Sequence, residues 1–233
     1  MINYRGENCC WGEAMKRIER AARPAIIMAT ALYFILAAMV RQRAYFDWDL
    51  KLARAIQSLS LPGFRTAMIW LSELGSGYLA VALVLGIGAA LFFGGRRLEA
   101  AICAAGAGAA GALNMLLKLI VDRPRPSRDL VAVLCQYDQG SFPSGHVVFS
   151  VGLFGFLLFL SCALIQSRLA RGAIVAAMLV AILLMGISRI YVGAHWPSDV
   201  AGAYLFGAAW LALMIKTYLW LKRQRQAVQI PPR

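Results

Sequence analysis

The chain contains two histidines, and each stands among residues suited to handling an oxyanion. His146 closes the run Pro143-Ser144-Gly145-His146. His195 lies inside Ser188-Arg189-Ile190-Tyr191-Val192-Gly193-Ala194-His195-Trp196-Pro197-Ser198-Asp199. A carboxylate on one ring nitrogen fixes an imidazole's tautomer and supports the positive charge it gains in a reaction. Asp199 follows His195 by four residues and can turn back to it if a helix begins near Pro197, a favoured first helical residue. The other nitrogen of His195 is then free to attack phosphorus. His146, an imidazole able to carry a proton near neutral pH, can protonate the leaving oxygen. Lys118, Arg125 and Arg189 supply fixed positive charge; guanidinium groups pair with phosphate oxygens in a fork, and lysine adds a point charge. Ser144 and Gly145 precede an apolar run that reads as a helix. The free N–H groups of a helix start attract an anion, and glycine admits it close to the backbone. Asn114 sits one turn before Lys118 on the same helical face. Together these residues make a nucleophile, an orienting carboxylate, an acid and a charge clamp. That is a kit for phosphoryl transfer with no obligatory metal or other cofactor.

The elements that must bring these residues together are apolar. Of 233 residues 61% are hydrophobic and only 15% are charged, with a mean hydropathy of +0.65. Six apolar segments can be drawn: Pro24–Val40, Gly77–Gly94, Leu98–Val121, His146–Gln166, Gly172–Arg189 and Val200–Leu221. Each is long enough to cross, or nearly cross, a hydrocarbon core of roughly 30 Å. Lipid cannot satisfy backbone polar groups, so such spans are helices. The expected architecture is an all-α integral membrane six-helix bundle, a single domain over residues 1–233. Its core covers about 24–221, and basic cytoplasmic tails cover 1–23 and 222–233.

The net charge of +13 reflects basic residues at the ends of apolar runs, the pattern of topology signals and anionic-lipid contacts. No recognition motif accompanies it, so nucleic acid is not an expected partner. With both termini inside, 14 lysines and arginines fall on the inner side and 10 on the outer. This bias favours cytoplasmic termini, although Arg41 and Arg43 flank the first span on the opposite side. Lys118, Arg125, Ser144, His146, Arg189, His195 and Asp199 then share one face, the outer one. Residues 1–23 are too polar for a cleavable signal peptide.

Other features have plainer readings. Asp49–Leu59, between the first two spans, carries Leu50, Ala53 and Ile56 at helical spacing with Lys51 and Arg54 off that face. It reads as an amphipathic helix on the membrane surface. Gly106-Ala107-Gly108-Ala109-Ala110-Gly111 matches a dinucleotide fingerprint literally, but follows no strand and opens no helix. Small residues at this density let transmembrane helices pack closely. Arg123, Arg128 and Lys51 read as span-end anchors. Asp122, Asp129 and Asp138 are mixed with arginine at irregular spacing and read as solvated loop residues rather than a metal site. Cys103 and Cys162 fall in apolar runs as packing residues, and Cys9-Cys10 has no partner spacing for zinc.

Lys118 and Arg125-Pro126 with six residues between them, then Pro143-Ser144-Gly145-His146, then Ser188-Arg189 with His195 and Asp199, resemble a known three-part signature. It is that of the type 2 phosphatidic acid phosphatase superfamily. The order and internal spacings match, and the six-span arrangement from Pro24 to Leu221 is similar. The resemblance implies the fold shared with vanadate-dependent haloperoxidases. It implies His195 as nucleophile, Asp199 as its partner and His146 as acid, with Lys118, Arg125, Ser144, Gly145 and Arg189 as phosphate ligands. Arg123-Pro124 duplicates the Arg-Pro pair two residues early, which makes Arg123 a candidate accessory charge beside Asn114.

The expected activity is a metal-independent membrane phosphatase acting on a lipid phosphate or isoprenyl diphosphate through a phosphohistidine. Undecaprenyl-diphosphate and phosphatidylglycerophosphate phosphatases are the similar bacterial types. Its partners are that substrate and the bilayer, and its expected location is the inner membrane. The same histidine would also serve transfer to a lipid or sugar acceptor. A non-catalytic lipid-binding or translocating protein would need only the cations.

Overall fold

The computed structural model describes the backbone of residues 4–228 and the side chains of residues 23–225. The side chains of Cys9, Cys10 and most of the basic N-terminal tail lie outside the described residues, as does the end of the C-terminal tail. Among the described residues the chain forms eight helices and no strand. They are α1 (Tyr4–Arg41), α2 (Asp47–Gln57), α3 (Phe64–Leu74), α4 (Gly77–Phe93), α5 (Arg97–Val121), α6 (Gly145–Leu164), α7 (Arg168–Tyr191) and α8 (Pro197–Val228).

Five helices are long and apolar enough to cross a membrane: the Arg23–Arg41 part of α1, α5, α6, α7 and α8 up to Arg225. A sixth candidate crossing is a bent pair. α4 has only 17 residues, and α3 meets it at 66° across Gly75-Ser76. The protein is therefore a multi-pass membrane bundle of six spans when the bent pair is counted as one. α6 lies at its centre, packed by α5, α7 and α8, and its Phe156 and Val147 are wholly buried. Close approach relies on missing side chains. A Cβ on Gly207 of α8 would meet Val151 of α6 at 2.9 Å, and one on Gly155 of α6 would overlap Leu211 of α8.

The glycine-rich run in α5 divides its duties by helical face. Gly106 packs against Met214, and Trp210 Nε1 donates to its carbonyl at 3.1 Å. Gly108 and Gly111 face open space, so only part of the run serves helix packing.

The amphipathic segment expected at Asp49–Leu59 is α2, and its apolar face is spent on the protein. Leu50, Ala53 and Ile56 pack into the core cluster of Val147, Met185 and Trp196. Gln57 donates to the Ala132 and Tyr191 carbonyls at 2.8 and 3.1 Å. Trp48 and Lys51 remain exposed on the other side. α2, α3 and the 122–144 loop cover the end of the bundle where α5 and α7 stop and α6 and α8 begin.

Candidate active site

The loop after α5 doubles back so that α6 starts beside α5's last turns. Asn114 Nδ2 donates to the Pro143 carbonyl at 3.3 Å, and a Cβ on Gly145 would stand 3.0 Å from Asn114 Oδ1. Glycine is what lets the start of α6 seat against α5. Gly193, with φ +69, turns the chain between α7 and α8; a Cβ there would overlap the Ala132 carbonyl. α8 begins at Pro197, so Asp199 lies in its first turn and accepts the Trp196 N–H at 2.8 Å through Oδ2.

These junctions enclose a cavity of about 330 Å³. Asn114, Lys118, Arg125, Gly145, His146, Arg189 and His195 all line it, from three separate stretches of sequence. Its other wall is apolar, made by Ala107, Ala110, Gly111 and Met115 of α5 with Val148 and Phe149 of α6. The cations are anchored by backbone carbonyls. Lys118 Nζ donates to Gly140 at 2.5 Å, and Arg125 donates to Gln139 and Ala194, each at 2.7 Å. Arg189, fully buried, donates from Nη1 to Ser72 Oγ. Its Nε and Nη2, and the Ser144 hydroxyl, are buried without a hydrogen-bond partner in the protein. An unsatisfied buried donor costs about 1–3 kcal/mol, so these groups are primed for an acceptor.

The two imidazoles are held differently. His195 Nε2 stands 3.4 Å from Arg125 Nη1 at the cavity, and Nδ1 stands 3.6 Å from Asp199 Oδ2. Burial pushes His195 well below its ordinary pKa. Lys118, Arg125 and Arg189 push the same way, and the backbone of Ser141 opposes them. The ring is therefore neutral at physiological pH, the form with a nucleophilic lone pair. Burial, with Arg189 next, also lowers Arg125, to about 10, which leaves it charged at neutrality.

His146 Nε2 lies 2.8 Å from Ser76 Oγ, whose hydroxyl reaches the Ser72 carbonyl at 3.3 Å. With the Ser76 proton directed to Ser72, Ser76 accepts from the ring, and Nε2 carries a hydrogen.

The remaining sequence candidates fall elsewhere. Asp199 sits behind His195 rather than in the cavity wall. Asp122, Asp129 and Asp138 are exposed, and Arg128 is exposed, donating to Gln136 at 3.5 Å. The span-end anchor expected of Arg123 is not what the structure holds. Its side chain is wholly buried between Asp49 and Asp199, at 2.9 and 2.5 Å, and does not line the cavity. The loop carries it inward because two carboxylates await it there.

Several lining or supporting residues carry no motif signal. The Tyr137 ring lies under both guanidinium groups, 4.8 Å from Arg125 Cζ and 5.1 Å from Arg189 Cζ. Gly75 lines the cavity, and Ser72 and Ser76 tie α3 to Arg189 and His146.

The profile of the PAP2 superfamily matches residues 99–223. Phosphatidylglycerophosphatase B of Bacillus subtilis is 27% identical over 196 residues, covering 83% of this chain and 95% of its own. Decaprenylphosphoryl-5-phosphoribose phosphatase of Mycobacterium tuberculosis is 34% identical over 160 residues, covering 66% and 81%. Among solved structures, the transmembrane PAP2 type phosphatidylglycerolphosphate phosphatase of Bacillus subtilis superposes with a TM-score of 0.73. Its identity is 26%, and the match covers 82% of this chain and 94% of that one.

Proposed function

The chain belongs to the PAP2 superfamily, and from that premise we propose that it hydrolyses a lipid phosphate or isoprenyl diphosphate through a phosphohistidine on His195. Its relatives are membrane phosphatases of lipid phosphates, which supports the lipid phosphatase activity itself. The observation that carries the mechanism is one cavity lined by both histidines and by Lys118, Arg125 and Arg189.

The substrate's phosphate enters between the three cations, with the N–H groups at the start of α6 beneath it. His195 Nε2 attacks phosphorus, and the bond to the leaving oxygen breaks as His146 gives that oxygen its proton. Asp199 stabilises the positive charge that forms on His195. Water, deprotonated by His146, then attacks the phosphohistidine and frees inorganic phosphate, which restores both rings. The cations neutralise charge on the equatorial oxygens, the task a divalent ion performs in other phosphoryl transfers. Their presence supports a metal-independent reaction.

The apolar wall from Ala107 to Met115 supports a substrate whose tail stays in the bilayer while its phosphate reaches the cations. The inside excess of lysine and arginine supports cytoplasmic termini and a site on the outer face of the inner membrane.

A panel of lipid phosphates and polyprenyl diphosphates in mixed micelles, assayed for phosphate release, tests this reading. Wild-type protein should release phosphate and folded His195→Ala should not. Retained turnover by that variant, or lipid transfer without free phosphate, would overturn it.

A further inference from the structure

Behind His195, on the side away from the cavity, three buried charged groups form a chain through one guanidinium. Arg123 Nη1 donates to Asp199 Oδ1 at 2.5 Å and to Ser198 Oγ at 2.7 Å. Its Nη2 donates to Asp49 Oδ2 at 2.9 Å and its Nε to the Ala44 carbonyl at 3.1 Å. Asp49 also accepts the Ser198 N–H at 2.7 Å, the Ser198 hydroxyl at 2.7 Å and the Phe46 N–H at 3.1 Å. The side chains of Asp49, Arg123 and Asp199 are all fully buried. Asp49 belongs to α2, outside residues 99–223 that the family profile matches.

Stability alone explains such a chain poorly. Well-packed apolar side chains of similar volume often stabilise as well as buried ion pairs do. Its geometry has a direct consequence for Asp199. Both carboxylate oxygens are committed, Oδ1 to Arg123 and Oδ2 to the Trp196 N–H, so the group cannot rotate. Oδ2 is thereby kept facing His195 Nδ1. The charge matters as well. A guanidinium serving Asp199 alone would neutralise it. Asp49 draws half of that fork to itself, which leaves Asp199 negative toward the ring.

We infer that Asp49 is a positioning residue for phosphoryl transfer. Acting through Arg123, it holds Asp199 in the orientation and charge that keep the His195 proton on Nδ1 and the Nε2 lone pair toward the cavity. This rests on His195 being the nucleophile, as proposed above. Arg123 is in the same sense a positioning residue, not a phosphate ligand.

The test uses Asp49→Asn, which keeps the shape and removes the charge. The expected kcat loss is about 10- to 100-fold, the size found when an outer partner orienting a metal-bound histidine is removed. KM should stay within about threefold, because the three cavity cations are untouched. In an Arg123→Gln background the same change should cost less than about twofold, since the link is already cut. A second readout needs no turnover. The chain has two histidines, so ¹⁵N imidazole spectra contain two side chains, assigned with His146→Gln. Asp49→Asn should shift His195 from the Nδ1–H toward the Nε2–H tautomer and leave His146 unmoved.

Wild-type kcat with an unchanged His195 spectrum would overturn the inference. So would a loss spread over kcat and KM with both histidines shifted, the mark of a merely structural role. If wild-type protein releases phosphate from no substrate, the phosphatase reading falls, and the imidazole spectra still decide whether Asp49 governs His195.

Discussion

Gly75 offers a sharp test of His146, because one methyl group there acts on that ring and on little else. The residue has φ −94 and ψ 3, outside the left-handed region and in the bridge region that alanine also adopts, so Gly75→Ala needs no change of backbone conformation. The added Cβ would lie 2.6 Å from His146 Cδ2, 3.1 Å from Cγ and 3.2 Å from Cβ. Ordinary contact begins near 3.4 Å, so the ring must retreat by 0.8 Å, the difference between 3.4 and 2.6. It cannot simply swing aside, since its root is crowded as well as its edge. A misplacement near 1 Å in a catalytic group costs about 100-fold in rate, or about 2.7 kcal/mol of barrier. The expected result for a lipid phosphate with an alkyl leaving group is a roughly 100-fold fall in kcat with little change in KM. A nitrophenyl phosphate leaves without needing a proton, so its kcat/KM, which reports formation of the phosphohistidine and not its hydrolysis, should fall by less than about fivefold. Gly108→Ala, whose Cβ meets nothing within 4 Å, is the control and should match wild type. The assay is phosphate release in detergent micelles. A Gly75→Ala rate within about threefold of wild type on the alkyl substrate would refute the role given to His146. Equal losses of kcat/KM on both leaving groups would do the same.

Two further outcomes follow from the site. Burial, with Lys118, Arg125 and Arg189, lowers the His195 pKa, so the ring of the ligand-free protein should remain neutral well below its ordinary value near 6.5. Lys118→Met removes one of those cations and should raise the midpoint seen by imidazole NMR; an unchanged or lower midpoint would contradict the electrostatics. Because lysine and arginine supply the positive charge, turnover should survive EDTA, and vanadate should inhibit competitively. Loss of activity in EDTA that magnesium restores would contradict this.

The parts of the site that were legible in the sequence are those with a local signature. Apolar runs marked α5, α6 and α7 to within four residues and the start of α8 to within three, though α8 runs seven residues past Leu221, and span ends placed Lys118, His146, Arg189 and His195 at one end of the bundle. What escaped depends on contacts between distant residues. Ser76 meets His146 and Ser72 meets Arg189 only because α3 bends against α4 and packs on α7. A serine in an apolar stretch announces neither contact; the four-residue spacing of Ser72 and Ser76 on one face was the available hint. Arg123 resembled an anchor because a basic residue beside proline commonly ends a span. Its true setting required Asp49, whose helix read as a membrane-surface element. The apolar stripe of α2 was visible, but a stripe does not say whether lipid or protein covers it. Tyr137 sits in a loop with no periodicity, so its place beneath two guanidinium groups had no sequence counterpart.

If His195 carries the phosphoryl group during turnover, that group can be trapped on its ring. Wild-type protein turning over a lipid phosphate would be quenched within the first turnover in alkaline denaturant, which preserves phosphoimidazole. Mass spectrometry of the peptide containing Ala194-His195-Trp196 then locates the label. A phosphoryl group on His195 should form before steady state and be absent from His195→Ala. Phosphate release with no such group on His195, or with the label on His146 instead, would contradict it.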